Sequence, residues 1–383
     1  MKVLVGLSGG VDSAVAAYYL KEAGYDVTCA FMRNWDSLTN DDILGNPTIN
    51  DPVCSQEQDY QDAKSVADRL GLELLRVDFI RDYWDEVFQR FLEDYRRGRT
   101  PNPDILCNQY IKFDSFMDYA AKQGFDTVAT GHYAKLGSDP AGRTVLMKAD
   151  DRNKDQSYFL CQIHREVLDH VLFPLGGVEK PEVRRIAAKL QLSIAAKKDS
   201  TGICFIGERN FREFLSNYLP MKPGRIVLIT TGETVGEHKG VLYYTVGQRK
   251  GLDIGGTGPY YVIGKDVVRN ELYVTDEAHQ EWLMSDSCMV MNVNWLADHP
   301  ASVDCTAKFR YRQPDQKIHL EDLGNGMARV TYPQGVRSVT PGQEAVFYQD
   351  DVVLGGGMID TVSRAGEDLM ALICSQAQQK EQH

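Results

Sequence analysis

The hexapeptide Ser8-Gly9-Gly10-Val11-Asp12-Ser13 stands between an apolar run, Val3-Leu4-Val5-Gly6-Leu7, and a helix-forming segment from Ser13 to Ala23 that Gly24 closes. A strand that passes into a helix through two glycines leaves backbone free to approach phosphate oxygens. The helix N-terminus then supplies N–H donors and a favourable dipole. Two serine hydroxyls add donors, and Asp12 can hold Mg²⁺ against the phosphates. The loop lacks the lysine and the longer spacing of a Walker loop, which suits a pyrophosphate leaving group better than γ-phosphoryl transfer.

Val27 to Met32, Leu72 to Val77 and Asp126 to Thr130 read as further strands, while Tyr60, Ala63, Ala67 and Leu70 share one helical face. Past residue 210 the texture changes to short β-rich runs punctuated by Gly and Pro, as in Val241 to Val246, Tyr260 to Gly264 and Glu271 to Thr275. The fold class is therefore α/β, with a parallel-sheet, Rossmann-like N-terminal domain over 1–208. A small β-rich central domain over 209–280 and a C-terminal β-barrel domain over 281–383 follow. The polar residues Ser375 to His383 are expected to fray.

The sequence shows no basic leader and no uninterrupted apolar stretch of membrane-spanning length, so a cytoplasmic protein is expected. Eight cysteines are scattered with no C-x-x-C pair, which gives no support to zinc or an iron–sulfur cluster. A net charge of −12 argues against a generally basic surface, so any nucleic acid must meet local patches. Candidates are Arg96, Arg97 and Arg99, then Lys197 and Lys198. A third is the alternation Lys308-Phe309-Arg310-Tyr311-Arg312, which on a strand would put cations on one face and aromatics on the other.

Two cysteines have unusual surroundings. Pro101-Asn102-Pro103-Asp104-Ile105-Leu106-Cys107-Asn108 reads as a rigid polar turn that leaves Cys107 reachable, with a carboxylate three residues before it. Cys204 lies in Asp199-Ser200-Thr201-Gly202-Ile203-Cys204-Phe205-Ile206-Gly207, where the preceding lysines would favour a thiolate. Each thiol could instead be structural: a cysteine tucked behind a Pro turn, and one on a buried strand.

Taken with Thr130-Gly131-His132-Tyr133, Asn153 to Tyr158, Tyr244 to Leu252 and Arg310 to Gln313, these motifs resemble the tRNA-specific 2-thiouridylases of the PP-loop ATP pyrophosphatase superfamily. The resemblance runs from Met1 to about Thr361. It implies that ATP with Mg²⁺ adenylates the C2 oxygen of the wobble uridine, releasing pyrophosphate, and that a persulfide on Cys204 delivers sulfur. Cys107 is then the partner nucleophile and Asp104 the acid/base group. It further implies ATP along Gly6, Leu7, Ser8, Gly9, Gly10, Val11, Asp12 and Ser13, at Met32 and at Gly131. For tRNA it implies Asn102, Pro103 and Asp104 at the target base, with His132, Lys154, Asp155, Gln156, Arg310, Tyr311 and Gln343 around it. The partners implied are tRNA and a sulfur-donor protein, a cysteine desulfurase or a sulfur relay carrier, with the chain acting as a monomer. An ATP-dependent amidating ligase or NAD synthetase is the competing enzyme reading; it leaves both cysteine segments without a role. A non-enzymatic ATP-binding protein is the third.

Overall fold

The computed structural model of the chain describes residues 1–47, 49–50, 55–199, 206, 210–255 and 258–381. Its N-terminal part is a five-stranded parallel sheet in the order Glu73–Asp78, Asp26–Arg33, Lys2–Gly6, Thr127–Ala129, Val171–Leu172. Strands buried on both faces read as continuous apolar runs, which is why Val3 to Val5 shows no polar alternation. Val3 and Val5 pack under the helices Val11–Glu22, Ser55–Leu70 and Lys180–Lys189, while Leu4 faces the aromatic layer of Tyr83, Phe88 and Phe116.

From the central strand Lys2–Gly6 the chain first builds outward on one side and then returns to build on the other. That reversal creates a topological switch point between Lys2–Gly6 and Thr127–Ala129, the place where such sheets bind ligands beyond their carboxyl ends.

A four-stranded sheet follows in the order Tyr261–Asp266, Glu271–Thr275, Gly224–Leu228, Thr234–His238. Val241 to Tyr243, expected as strand, is a 3₁₀ turn. Next comes a closed six-stranded barrel, running Met284–Trp295, Met327–Arg337, Gln316–Gly324, Ser302–Lys308, Glu344–Gln349, Val352–Arg364 and back to the first. Closure removes free sheet edges. An N-terminal hairpin, Ala134–Ser138 with Thr144–Lys148, extends the barrel's sheet through the pairing of Met147 with Val352.

Of the C-terminal residues expected to fray, Ser375 to Glu381 are helical instead, and Gln382 and His383 lie outside the described residues. Leu369–Glu381 forms a helix whose Ile373 and Ala377 are buried with Ile263 and Tyr273 of the four-stranded sheet and Val362 of the barrel. Burial of those side chains fixes the helix despite the polar composition of its last turns.

Candidate active site

At the switch point two loops meet. The one after Lys2–Gly6 carries Ser8 to Ser13; the one after Thr127–Ala129 carries Gly131. A Cβ on Gly131 would lie 2.7 Å from Ser13 N, and one on Gly9 (φ +75°) would lie 2.3 Å from Asp59 O. Both positions therefore require glycine, and backbone crowding explains the composition. Ser13 Oγ accepts from Ser8 N at 3.2 Å and lies 3.2 Å from Ser8 Oγ, so the two serines fold the loop around the helix N-terminus. Met32 Cε is 3.1 Å from where a Gly6 Cβ would stand, which places this buried side chain beside the end of the strand Lys2–Gly6.

Asp12 is held by protein groups. Lys180 Nζ donates to its Oδ1 and Oδ2 at 2.7 and 2.8 Å, and Tyr133 Oη donates to Oδ1 at 2.8 Å. Among the described residues no group of three or more His, Cys, Asp or Glu side chains could hold a metal. Both Asp12 oxygens already accept from Lys180, so this single carboxylate could take Mg²⁺ arriving on phosphates, which needs only one or two carboxylates, once the lysine gives way.

Lys180 reaches on to Asp199 Oδ1 at 2.7 Å, and Asp199 also receives Lys154 at 2.7 Å and Arg184 at 2.6 Å. Burial alone would raise the Asp199 pKa, but the bonds from Lys154 and Lys180 outweigh it and hold the carboxyl at about 2. An ionic chain thus joins the phosphate loop to the start of the segment that contains Cys204. Lys180 was not foreseen from sequence. Its signal was there: a lysine in the first turn of a helix opposes the helix dipole unless a carboxylate stands nearby.

The Pro101–Asn108 segment differs from the exposed turn expected. Asn102 caps a helical turn by accepting from Asp104 N at 3.1 Å, Pro103 takes the first helical position, and Cys107 opens a π-helical segment, Cys107–Ser115. Cys107 is 0% exposed and lies in one apolar cluster with Met32, Phe116 and Ile206. Ile206 belongs to the second cysteine segment, whereas Cys204 itself lies outside the described residues. Of the two lysines expected to activate it, Lys197 is engaged elsewhere: its Nζ pairs with Asp59 at 2.7 Å and Asp62 at 2.6 Å and donates to Gly9 O at 3.2 Å.

Beyond Asn102, Pro103 and Asp104 on the capped turn, the residues implied for tRNA fall into two groups. His132, Lys154, Asp155 and Gln156 gather beside the switch point. His132 is buried, bonded to Thr130 Oγ1 at 2.8 Å, and burial with the nearby Lys112 charge keeps its pKa well below the ordinary histidine value. Asp155 accepts from Ala149 N, Ser157 N and Ser157 Oγ, and Gln156 Oε1 accepts from Tyr133 N at 3.0 Å. These last two side chains shape the loop from inside.

Arg310, Tyr311 and Gln343 sit on the barrel side. Lys308 ends its strand, so the expected alternation of cations and aromatics does not exist beyond it. The chain turns instead, with Gln313 N donating to Arg310 O and Gln313 Oε1 accepting from Phe309 N. Arg310 points inward and donates to Val246 O, Ser338 O and Thr340 Oγ1 at 2.6, 2.9 and 2.6 Å. Tyr311 packs on Phe159 with ring centroids 4.4 Å apart, and Gln343 Nε2 donates to Thr100 O at 2.6 Å.

Comparison with known families matches residues 1–208 to the tRNA methyl transferase HUP domain, 212–276 to the tRNA methyl transferase PRC-barrel domain and 285–359 to the aminomethyltransferase beta-barrel domain. A tRNA-specific 2-thiouridylase MnmA of Mycoplasma mycoides subsp. mycoides SC is 54% identical over 370 residues, covering 94% of this chain and 99% of that protein. The protein of the same name from Listeria monocytogenes serotype 4b is 49% identical over 372 residues, covering 96% and 97%. Among solved structures, a 4-thiouridine synthetase–RNA complex with bound ATP is similar over 54% of this chain and 46% of that one. It is a distant likeness, at 19% identity and a TM-score of 0.34.

Proposed function

The chain belongs to the tRNA-specific 2-thiouridylases, and on that premise we propose that it converts the wobble uridine of tRNA anticodons to 2-thiouridine at the expense of ATP. The observation that carries this reading is the Asp12–Lys180–Asp199 chain, which joins a phosphate cradle to the segment containing Cys204. The family descriptions speak of methyl and aminomethyl transfer, but a glycine-rich cradle at a helix N-terminus suits a nucleotide's phosphates, which such transfers do not need.

ATP lies with its phosphates along Ser8 to Ser13, and the uridine C2 oxygen attacks the α-phosphorus, releasing pyrophosphate and leaving an O-adenylate. Asp12 would hold Mg²⁺, which supplies charge neutralisation on the phosphates. The terminal sulfur of a Cys204 persulfide then adds at C2. Attack of the Cys107 thiolate on the inner sulfur frees that outer sulfur, AMP departs, and a Cys107–Cys204 disulfide remains for reduction before the next turnover. Asp104, three residues from Cys107 and capped onto the same turn, moves the proton. Cys107 is buried, so this step requires the turn to open toward the RNA. A sulfur-donor protein loads Cys204; the chain acts as a monomer in the cytoplasm. In this scheme residues 1–208 form the catalytic unit, and 209–280 and 281–383 hold the anticodon arm.

The test is incubation with tRNA, ATP, Mg²⁺ and a persulfide donor, followed by digestion and mass measurement of the nucleosides. Wild type should form 2-thiouridine, and Cys107→Ser and Cys204→Ser should each lose at least about 100-fold. Pyrophosphate release without sulfur in the RNA would redirect the reading to another acceptor.

A further inference from the structure

The segment that leads into the Asn102–Cys107 turn is fastened to the barrel. Thr100 N donates to Pro341 O at 2.9 Å, and Gln343 Nε2 donates back to Thr100 O at 2.6 Å. Gly342, at φ +91°, fits against this strip only without a side chain, since its Cβ would lie 2.6 Å from Thr100 N. One residue earlier, the Arg99 guanidinium donates to Asp360 Oδ1 at 2.5 Å, on the barrel strand Val352–Arg364, and to Asp94 Oδ1 at 3.3 Å.

Beside these bonds lies a cavity of about 510 Å³ whose lining includes Arg99, Thr100, Lys265, Pro341, Asp360 and Met370. Chain that borders a void lacks packed atoms on that side to resist displacement, so its few polar bonds set its place. The turn that follows within three residues carries Asp104 and Cys107, which must meet the target base.

We propose that Asp360 is a positioning residue for sulfur transfer: through Arg99, with the Thr100–Gln343 bond alongside, the barrel holds the Asn102–Cys107 turn in register with the active site. The inference deepens the proposed function and rests on it. The barrel then sets the reaction geometry of the N-terminal site as well as serving as a surface for RNA. Asp360 is an informative place to test this, because it lies on the barrel and touches Arg99, not the phosphate loop.

The experiment compares wild type with Asp360→Asn and Asp360→Glu in the full chain. Amide hydrogen exchange across residues 100–107 and affinity for unmodified tRNA are read without turnover; 2-thiouridine formation is read in a single turnover. Asp360→Asn should speed exchange at 100–107 and lower the single-turnover rate about tenfold, with tRNA affinity within about twofold of wild type, because small misplacement of reacting groups acts on rate rather than binding. Asp360→Glu should restore both. Unchanged exchange, or a loss of tRNA affinity that accounts for the whole rate change, overturns the proposal. Should Asp360→Asn fail to fold, Arg99→Lys, which keeps one charge and loses the forked contact, is judged by the same two readouts. If wild type forms no 2-thiouridine, the proposed function fails on its own, and the exchange comparison still decides whether the barrel holds the turn.

Discussion

Lys180 Nζ donates to both carboxylate oxygens of Asp12, at 2.7 and 2.8 Å, and so neutralises the one acidic side chain in the phosphate loop. Lys180→Met leaves Asp12 and Asp199 facing each other without their shared cation. Breaking a fully buried pair costs roughly 3–5 kcal/mol, and the partial exposure of Asp12 reduces this to about 1–3 kcal/mol. Urea unfolding should show that loss. ATP-dependent pyrophosphate release should fall at least about tenfold, with Lys180→Arg recovering part of it; wild-type turnover in Lys180→Met would show that the lysine serves only the resting state.

Gly9 has φ +75° and no room for a methyl group, since its Cβ would lie 2.3 Å from Asp59 O. Gly9→Ala must therefore shift the loop or the Ser55–Leu70 helix. Nucleotide affinity, followed by titration calorimetry, should weaken at least about tenfold, while the melting temperature changes by only a few degrees.

Arg310 gives one test between two roles. Its inward bonds to Val246 O, Ser338 O and Thr340 Oγ1 tie the four-stranded-sheet region to the barrel. Arg310→Met removes a donor from three part-buried acceptors, of which Ser338 O keeps the bond from Thr340 Oγ1, for a loss of about 1–3 kcal/mol in urea unfolding. If the side chain instead served an RNA phosphate, stability would hold, and the salt dependence of tRNA binding would flatten by about one unit of slope.

Glu344 is buried at the start of its barrel strand, its Oε2 has no hydrogen-bond partner among the described residues, and burial, with a smaller contribution from the Asp94 charge, raises its pKa to about 8. The folded chain therefore keeps a proton here that the unfolded chain has released above about pH 4.5. Stability from this group is full below that pH and is lost as pH rises toward and through 8. Glu344→Gln, a neutral isostere, should remove this slope and gain on the order of 1–3 kcal/mol at pH 8 relative to wild type. Unfolding curves at pH 5 and pH 8 check it, the expected difference between the two proteins being small at the lower pH.

Local patterns carried much of the architecture. The apolar run before Ser8, the glycines within the loop and the helical spacing after it predict strand, cradle and helix, and those elements stand as Lys2–Gly6, the Ser8–Ser13 loop and Val11–Glu22. Glu271 to Thr275 was equally legible, because a short run rich in aromatic and β-branched residues between turn signals has few other solutions. The C-terminal helix was missed because its apolar residues crowd into Leu369 to Cys374 with no helical period and its last turns are polar, and only the neighbouring sheet and barrel give that run something to pack against.

The sequence by itself determined where phosphate can be approached, since Gly9, Gly10 and the helix behind them act over a few bonds and need no distant partner. It also singled out Cys107 and Cys204 through the prolines, carboxylates and lysines around them. Only the tertiary structure decided what those surroundings do. Lys197 turned to Asp59 and Asp62, Arg310 turned inward to three backbone and hydroxyl oxygens, and Cys107 went beneath a capped helical turn. The physical reason is common to all three: a long side chain or a thiol settles where burial and hydrogen bonds are satisfied together, and the groups that satisfy them come from segments far away in the chain.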